Sequence, residues 1–210
     1  MKSKASFSEL RMTRNSSRKH IRENIAHIAA RLMAEDGIDD YAQAKRKAAR
    51  QIGAFDSRQL PDNEEIDVAL RQYRALFQNG HPVELREMRQ QALALMRELA
   101  AFNPHLVGSL LNGNAGKYAD IRLHLFCDNT KSVEHYLLDR DIPFRGTMVR
   151  LYAGDIELTA QGLMFSRDGC DAYLTLLSPR EWRLSLKTSI AGKPIEHAKA
   201  DVVAALIAGN

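Results

Sequence analysis

The sequence predicts an α+β fold, with an N-terminal helical region followed by a mixed sheet with flanking helices. Two observations carry this expectation. Up to residue 99 the apolar residues recur at spacings of three and four, the repeat of a helix with one buried face. After Pro104 they alternate or gather in short runs bounded by Gly, Asp and Pro, the pattern of strands and turns. The 210 residues suffice for one or two domains, and 45% apolar with 27% charged residues is ordinary for a globular protein. The change of period at Asn103–Pro104 is the expected boundary. Residues 1–103 would form the helical region with a basic tail, and 104–210 an α/β domain with a C-terminal helix. Alternatively, the helices pack on a single sheet.

Residues 1–15 show no sustained periodicity and are expected to be mobile. From Ser17 the pattern becomes helical, with Ile21, Ile25, Ile28 and Leu32 on one face and Gly37 as the stop. Asp40 can cap a second helix, in which Tyr41, Ala44, Ala48 and Ile52 share a face. Asp62 and Glu65 form a capping box that opens a third helix, with Ile66, Ala69, Leu70, Tyr73 and Phe77 inward. Pro82 suits the start of a fourth, carrying Leu85, Met88, Ala92, Leu95, Met96 and Leu99.

In the second half "HLVGSLL" reads as a buried strand. "IRLHLF" alternates, with Ile121, Leu123 and Leu125 on one face and Arg122, His124 and Phe126 on the other. Thr130 opens a short helix that Pro143 cannot continue. "TMVRLYA", "DIELTAQGLMF" and "CDAYLTLL" follow as strands joined by Gly-Asp turns. The chain closes on a helix with Ile195, Ala198, Val202 and Leu206 on one side. Trp182 is expected to pack the C-terminal tail on the sheet. His105 and His124 would approach each other if their strands pair.

Several function classes are excluded by pattern. No apolar run nears the ~20 residues of a membrane span, and no apolar segment follows the basic first residues as in a secretory signal. Cys127 and Cys170, 43 positions apart, suggest buried free thiols in a reducing, cytoplasmic setting rather than a disulfide or a zinc site. "GNAGKY" lacks the first Gly and the hydroxyl of a P-loop, and neither GxSxG nor HExxH occurs. Residues 1–60 carry a balance of +6 and the remainder −2, so the basic N-terminal helices could attract nucleic acid.

The stretch that bears chemistry is Val107-Gly108-Ser109, ten residues, then Asp120-Ile121-Arg122-Leu123. A Gly-Ser turn after a strand lets a phosphate approach the backbone, with Gly yielding space and Ser an N–H and a hydroxyl. An acid on the next strand can hold a hard cation. Lys117, in the loop between them, could reach a phosphate. His124 shares the strand face of Asp120 and Arg122 and could serve as a base or a phosphate contact.

This arrangement over residues 104–178 resembles the nucleotidyltransferase superfamily, the polymerase-beta-like fold. Nearly the whole chain is similar to small proteobacterial proteins described as nucleotidyltransferase-domain proteins of unknown role. The stretches that carry this likeness are "RLMAEDGIDDYAQAKRKAARQ", "LPDNEEI" and "GNAGKYADIRLHLF". The resemblance implies a nucleoside triphosphate on Gly108 and Ser109, and Mg2+ held by Asp120 with a second acid from a later strand. That acid would be Asp171 or Glu157, with Asp171 assigned the catalytic and metal role beside Asp120. The chain departs from the pattern at Arg122, where an acid would stand. A guanidinium cannot ligate a metal but can bind a phosphate directly. Two readings follow: a transferase moving a nucleoside monophosphate to an acceptor, with Mg2+ if active, or a nucleotide-binding module with a degenerate metal site. A non-catalytic nucleic-acid-binding or protein-interaction scaffold is the third.

Overall fold

A computed structural model of the protein describes residues 7–36, 38, 40–54, 60–116, 119–190 and 192–209, with side chains from residue 19 onward. Gly37, the expected helix stop, and Lys117 lie outside the described residues. The fold is α+β, with seven helices and a six-stranded mixed sheet among those residues. The chain divides into two compact units, Met1–His81 and Pro82–Asn210. The fourth helix therefore belongs with the sheet, and Asn103–Pro104 marks the change from helix to strand inside the second unit.

The first unit holds α1 (Phe7–Glu35), α2 (Tyr41–Gln51) and α3 (Asn63–Phe77). α1 begins ten residues ahead of the expected Ser17, because no Gly or Pro interrupts residues 7–35 and the helix can propagate back from its packed part. Alanines make the helix contacts close: Ala29, Ala44 and Ala48 are fully buried among Ile25, Ile66 and Leu70. Asp40 caps α2 by accepting the Gln43 N–H at 2.8 Å. The Asp62–Glu65 box closes in both directions, at 2.9 and 2.8 Å. Glu65 also accepts from Arg22 Nε at 2.7 Å, tying α1 to the start of α3. Phe77, expected inward, is 67% exposed and leans on Tyr73 with ring centroids 4.8 Å apart. It is the last residue of α3, beyond the packed stretch. Arg74 is buried instead, its Nη1 3.0 Å from His81 Nε2.

The second unit comprises α4 (His81–Glu98), β1 (Pro104–Val107), α5 (Ser109–Asn112), β2 (Ile121–Phe126), α6 (Lys131–Leu138), β3 (Arg145–Ala153), β4 (Ile156–Arg167), β5 (Cys170–Leu177), β6 (Leu186–Lys187) and α7 (Ala200–Ala208). The strand order is β1-β2-β5-β4-β3-β6, antiparallel except for the β2–β5 pair. One sheet face carries Leu123, Leu125, Leu163, Leu174 and Leu176, which pack with Met96 of α4, Leu99 just after it, and Val133 and Leu137 of α6 in one core. α6 opens on Lys131, whose N–H goes to Asn129 Oδ1 at 3.1 Å; Thr130 makes no side-chain cap.

The alternation expected of β2 is only half kept, since His124 and Phe126 are buried as well. A smaller cluster covers them on the second face, where Phe126, Leu151, Ala160, Leu177 and Leu186 meet, with Ile195 against them. The C-terminal segment forms this cover. Ile195 N–H bonds Leu186 O at 2.7 Å, and Ala198 exchanges two backbone hydrogen bonds with Leu106 at 2.8 and 3.0 Å. These bonds keep residues 195–198 extended, so α7 starts at Ala200 rather than Ile195. The inward residue is Val203; Val202, expected inward, is 48% exposed.

Candidate functional site

β1 and β2 pair with Val107 opposite Arg122, so the Gly108–Ser109 turn and Asp120 lie at the same end of the pair. Gly108 has φ 78° and ψ −152°, a conformation open to glycine and strained for any other residue. A Cβ there would stand 3.7 Å from Arg122 Cδ, so the turn and the guanidinium stem are in contact range. Ser109 opens α5, a single turn held from behind by Arg89 of α4. The Arg89 guanidinium, 5% exposed, donates from Nε to Leu110 O at 2.9 Å and from Nη2 to Leu111 O at 3.1 Å. Burial pushes its pKa below the usual arginine value.

β2 and β5 run parallel with Ile121 opposite Ala172 and Arg122 opposite Tyr173. This register sets Asp171 beside Asp120 on the second face of the sheet, together with Arg122 and Tyr173. Arg122 Nη2 is 3.4 Å from Asp120 Oδ2, with the two side chains 53% and 20% exposed. The Arg122 guanidinium carbon lies 5.8 Å from the centre of the Tyr173 ring. The Ser166 hydroxyl, across the strand pair, donates to Asp171 Oδ1. Glu157, the alternative later-strand acid, sits at the start of β4 opposite Tyr152, beside Arg150 at 3.9 Å, away from this end.

His124 shares the face but not the opening. It is buried, its Nδ1 3.0 Å from His197 Nε2, and burial followed by His197 and His105 pushes its pKa down to about 3. Near neutral pH it therefore holds no charge for a phosphate. Sequence reasoning missed Tyr173, Ser166 and Arg89. Only the register across β1–β2–β5–β4 and the packing of α4 bring them to the site, and no local motif marks them.

A cavity of about 110 Å3 opens at the same end of the sheet, on the other face, between α4 and the β4–β5 hairpin. Leu95, Ile121, Phe165 and Ala172 floor it; Arg167 and the Cys170 thiol stand at its rim. Arg167 is held by Glu98 at 2.5 Å and Asp168 at 3.6 Å. Burial, then Asp120 and Asp171, raise the Cys170 pKa, which keeps the thiol protonated. Both cysteines are free and half-buried.

A magnesium ion needs near-octahedral oxygen ligation and usually one or two carboxylates with open ligand positions. Asp120 is met by a cation and Asp171 by a hydroxyl, and among the described residues no group of three or more His, Cys, Asp or Glu side chains could hold a metal. This donor set does not fit Mg2+. In the first unit, Lys47 pairs with Asp36 at 2.7 Å and Lys45 donates to Asn63 Oδ1 at 2.7 Å, which leaves Arg46 and Arg50 as the exposed cations of α2 with no carboxylate partner among the described residues. No helix among the described residues is long and apolar enough to cross a membrane. Comparisons of the chain with protein-family models, with curated proteins and with solved structures return no match.

Proposed function

We propose that the protein binds a nucleotide through its phosphates, without metal-dependent transfer, using Arg122 and the Gly108–Ser109 turn, with the Tyr173 ring beside them for the base. The observation that carries this reading is the position of Arg122. It stands between the turn and Tyr173, on the strand face shared by Asp120 and Asp171. Its pair with Asp120 is half-exposed and 3.4 Å long. Such a pair is worth up to about 1 kcal/mol, whereas charge-assisted bonds from a guanidinium to phosphate are roughly twice as strong as neutral ones. A phosphate can therefore take the guanidinium from Asp120. The likeness to nucleotidyltransferases supports the same ligand class, and the Asp-x-Arg departure accounts for a site that would bind without transferring. A second reading, nucleic acid on the first unit, is favoured by the +6 balance of residues 1–60 and by Arg46 and Arg50.

Titration with each nucleoside triphosphate and with inorganic phosphate, in EDTA and again with Mg2+, tests the proposal. Saturable heat and a raised melting temperature in EDTA are expected, with at most a small change on adding Mg2+. Nucleotide transfer that requires Mg2+ and disappears in Asp171→Asn would establish the transferase instead.

A further inference from the structure

Five rings meet under the C-terminal segment on the second sheet face. His105 of β1 and His124 of β2 stand opposite each other in register, with Phe126 two residues further on. Trp182, on the single helical turn Glu181–Arg183, packs 4.4 Å from His105, 5.0 Å from Phe126 and 5.4 Å from His197. His197 lies 5.0 Å from His124, its ring tilted at 60° to it.

The hydrogen bonds fix where the protons are. His105 Nδ1 is 3.0 Å from Asn103 O, which can only accept, so the proton is on Nδ1 and Nε2 is bare. That Nε2 is buried and has no hydrogen-bond partner. His197 is also hydrogen-bonded to the Ile195 backbone, so in the 3.0 Å contact His124 Nδ1–H donates and His197 Nε2 accepts. All three rings are neutral in this arrangement.

The ionic surroundings offer a proton no support. The charged or titratable groups acting on the three rings are the rings themselves and Lys199 beside His105, with no carboxylate among them; the backbone bonds to Asn103 and Ile195 favour a proton on His105 and His197 but are outweighed by burial. Of β5, Thr175 and Leu177 stand opposite His124 and Phe126, while Asp171 lies on the same face at the Arg122 end, bonded to Ser166; the covering segment adds exposed Glu196 beside His197, and the helical turn carries Glu181, whose carboxylate accepts the Ser178 N–H at 2.5 Å, and exposed Arg183.

We propose that this ring cluster is an acid-released latch: when the imidazoles take up protons, Trp182 and the segments around Leu186 and His197 leave the sheet and uncover Phe126, Leu151 and Leu177. The release is local. The buried histidines among the described residues, His105 and His124, both lie on this face, and the latched cover is held by a two-residue strand, β6, the backbone bonds of Ile195 and Ala198, and the small cluster beneath it. A released His124 regains the ordinary value of 6.5, against about 3 when latched. The closed state therefore has its full advantage above pH 6.5 and loses it as pH falls towards 3.

Trp182 is the only tryptophan, so its emission reports the latch. Emission and far-UV circular dichroism are followed together from about pH 8 to about pH 4. By about pH 5, His124 alone should shift the opening equilibrium roughly 30-fold. Trp182 emission is then expected to move to the red while the circular dichroism holds, and His124→Gln, which keeps a donor for His197 without a titratable ring, is expected to flatten the transition. Hydrogen exchange on the unaltered protein covers the case in which that variant does not fold: amides around 182, 186 and 195–198 are expected to lose protection at acid pH ahead of those of β2 and β5. Emission constant until the circular dichroism collapses, or protection lost everywhere at once, would overturn the latch.

Discussion

Arg122→Glu is expected to abolish nucleotide binding while leaving the fold intact. The guanidinium is the one cation that the described structure sets at the Gly108–Ser109 turn on the open sheet face, beside Asp120, Asp171 and Tyr173. Its loss removes a charge-assisted contact worth roughly 1.5–3 kcal/mol, and the new carboxylate adds repulsion against the phosphates. An affinity loss of roughly 100-fold or more is expected by calorimetry. Because Arg122 is 53% exposed, unfolding free energy should change by no more than about 1 kcal/mol. Arg122→Lys keeps the charge but not the planar fork, and an intermediate affinity is expected from it. Unchanged binding in Arg122→Glu would place the nucleotide elsewhere.

The largest loss of stability tied to the site is expected from Arg89→Met. Met keeps much of the volume, but the Leu110 and Leu111 carbonyls lose the donors that reach them at 2.9 and 3.1 Å. Each buried carbonyl left unsatisfied costs about 1–3 kcal/mol, offset in part by removing a guanidinium that was itself buried. A net loss of about 3 kcal/mol is expected, read as a lower urea midpoint at unchanged slope. Nucleotide affinity should fall too, because the turn that presents Ser109 loses its backing. A midpoint equal to the unaltered protein's would show that α5 holds its position without α4.

How far the sequence reveals this arrangement depends on the range of each interaction. The Asp40 cap and the Asp62–Glu65 box are settled within four residues, and both form where the sequence places them. The strands of the second half follow from alternation and from turns at Gly154–Asp155 and Asp168–Gly169. The start of α1, the exposure of Phe77 and the start of α7 do not follow: α1 propagates back from its packed part, and the other two are decided by what lies alongside. Residues 195–198 carry a helical pattern, yet Leu106 and Leu186 take their backbone hydrogen bonds. The same limit applies to the site. Gly108, Ser109, Asp120 and Arg122 form one local motif and lie together. Asp171 joins them through the parallel β2–β5 register, which spacing alone could not choose over Glu157. His124 shows the converse: alternation gives its face correctly but not the cover of His197 that takes it out of reach.

Asp120→Asn separates phosphate binding from metal-dependent transfer most directly, because the two assign opposite roles to one carboxylate. Nucleotide affinity is measured by calorimetry in EDTA for the unaltered protein and the variant. If Arg122 takes the phosphate, Asp120 competes for it, and the Asn variant should bind several-fold more tightly, in line with a surface pair of up to about 1 kcal/mol. Binding that is lost in the variant, or that appears in the unaltered protein only with a divalent ion, would contradict it.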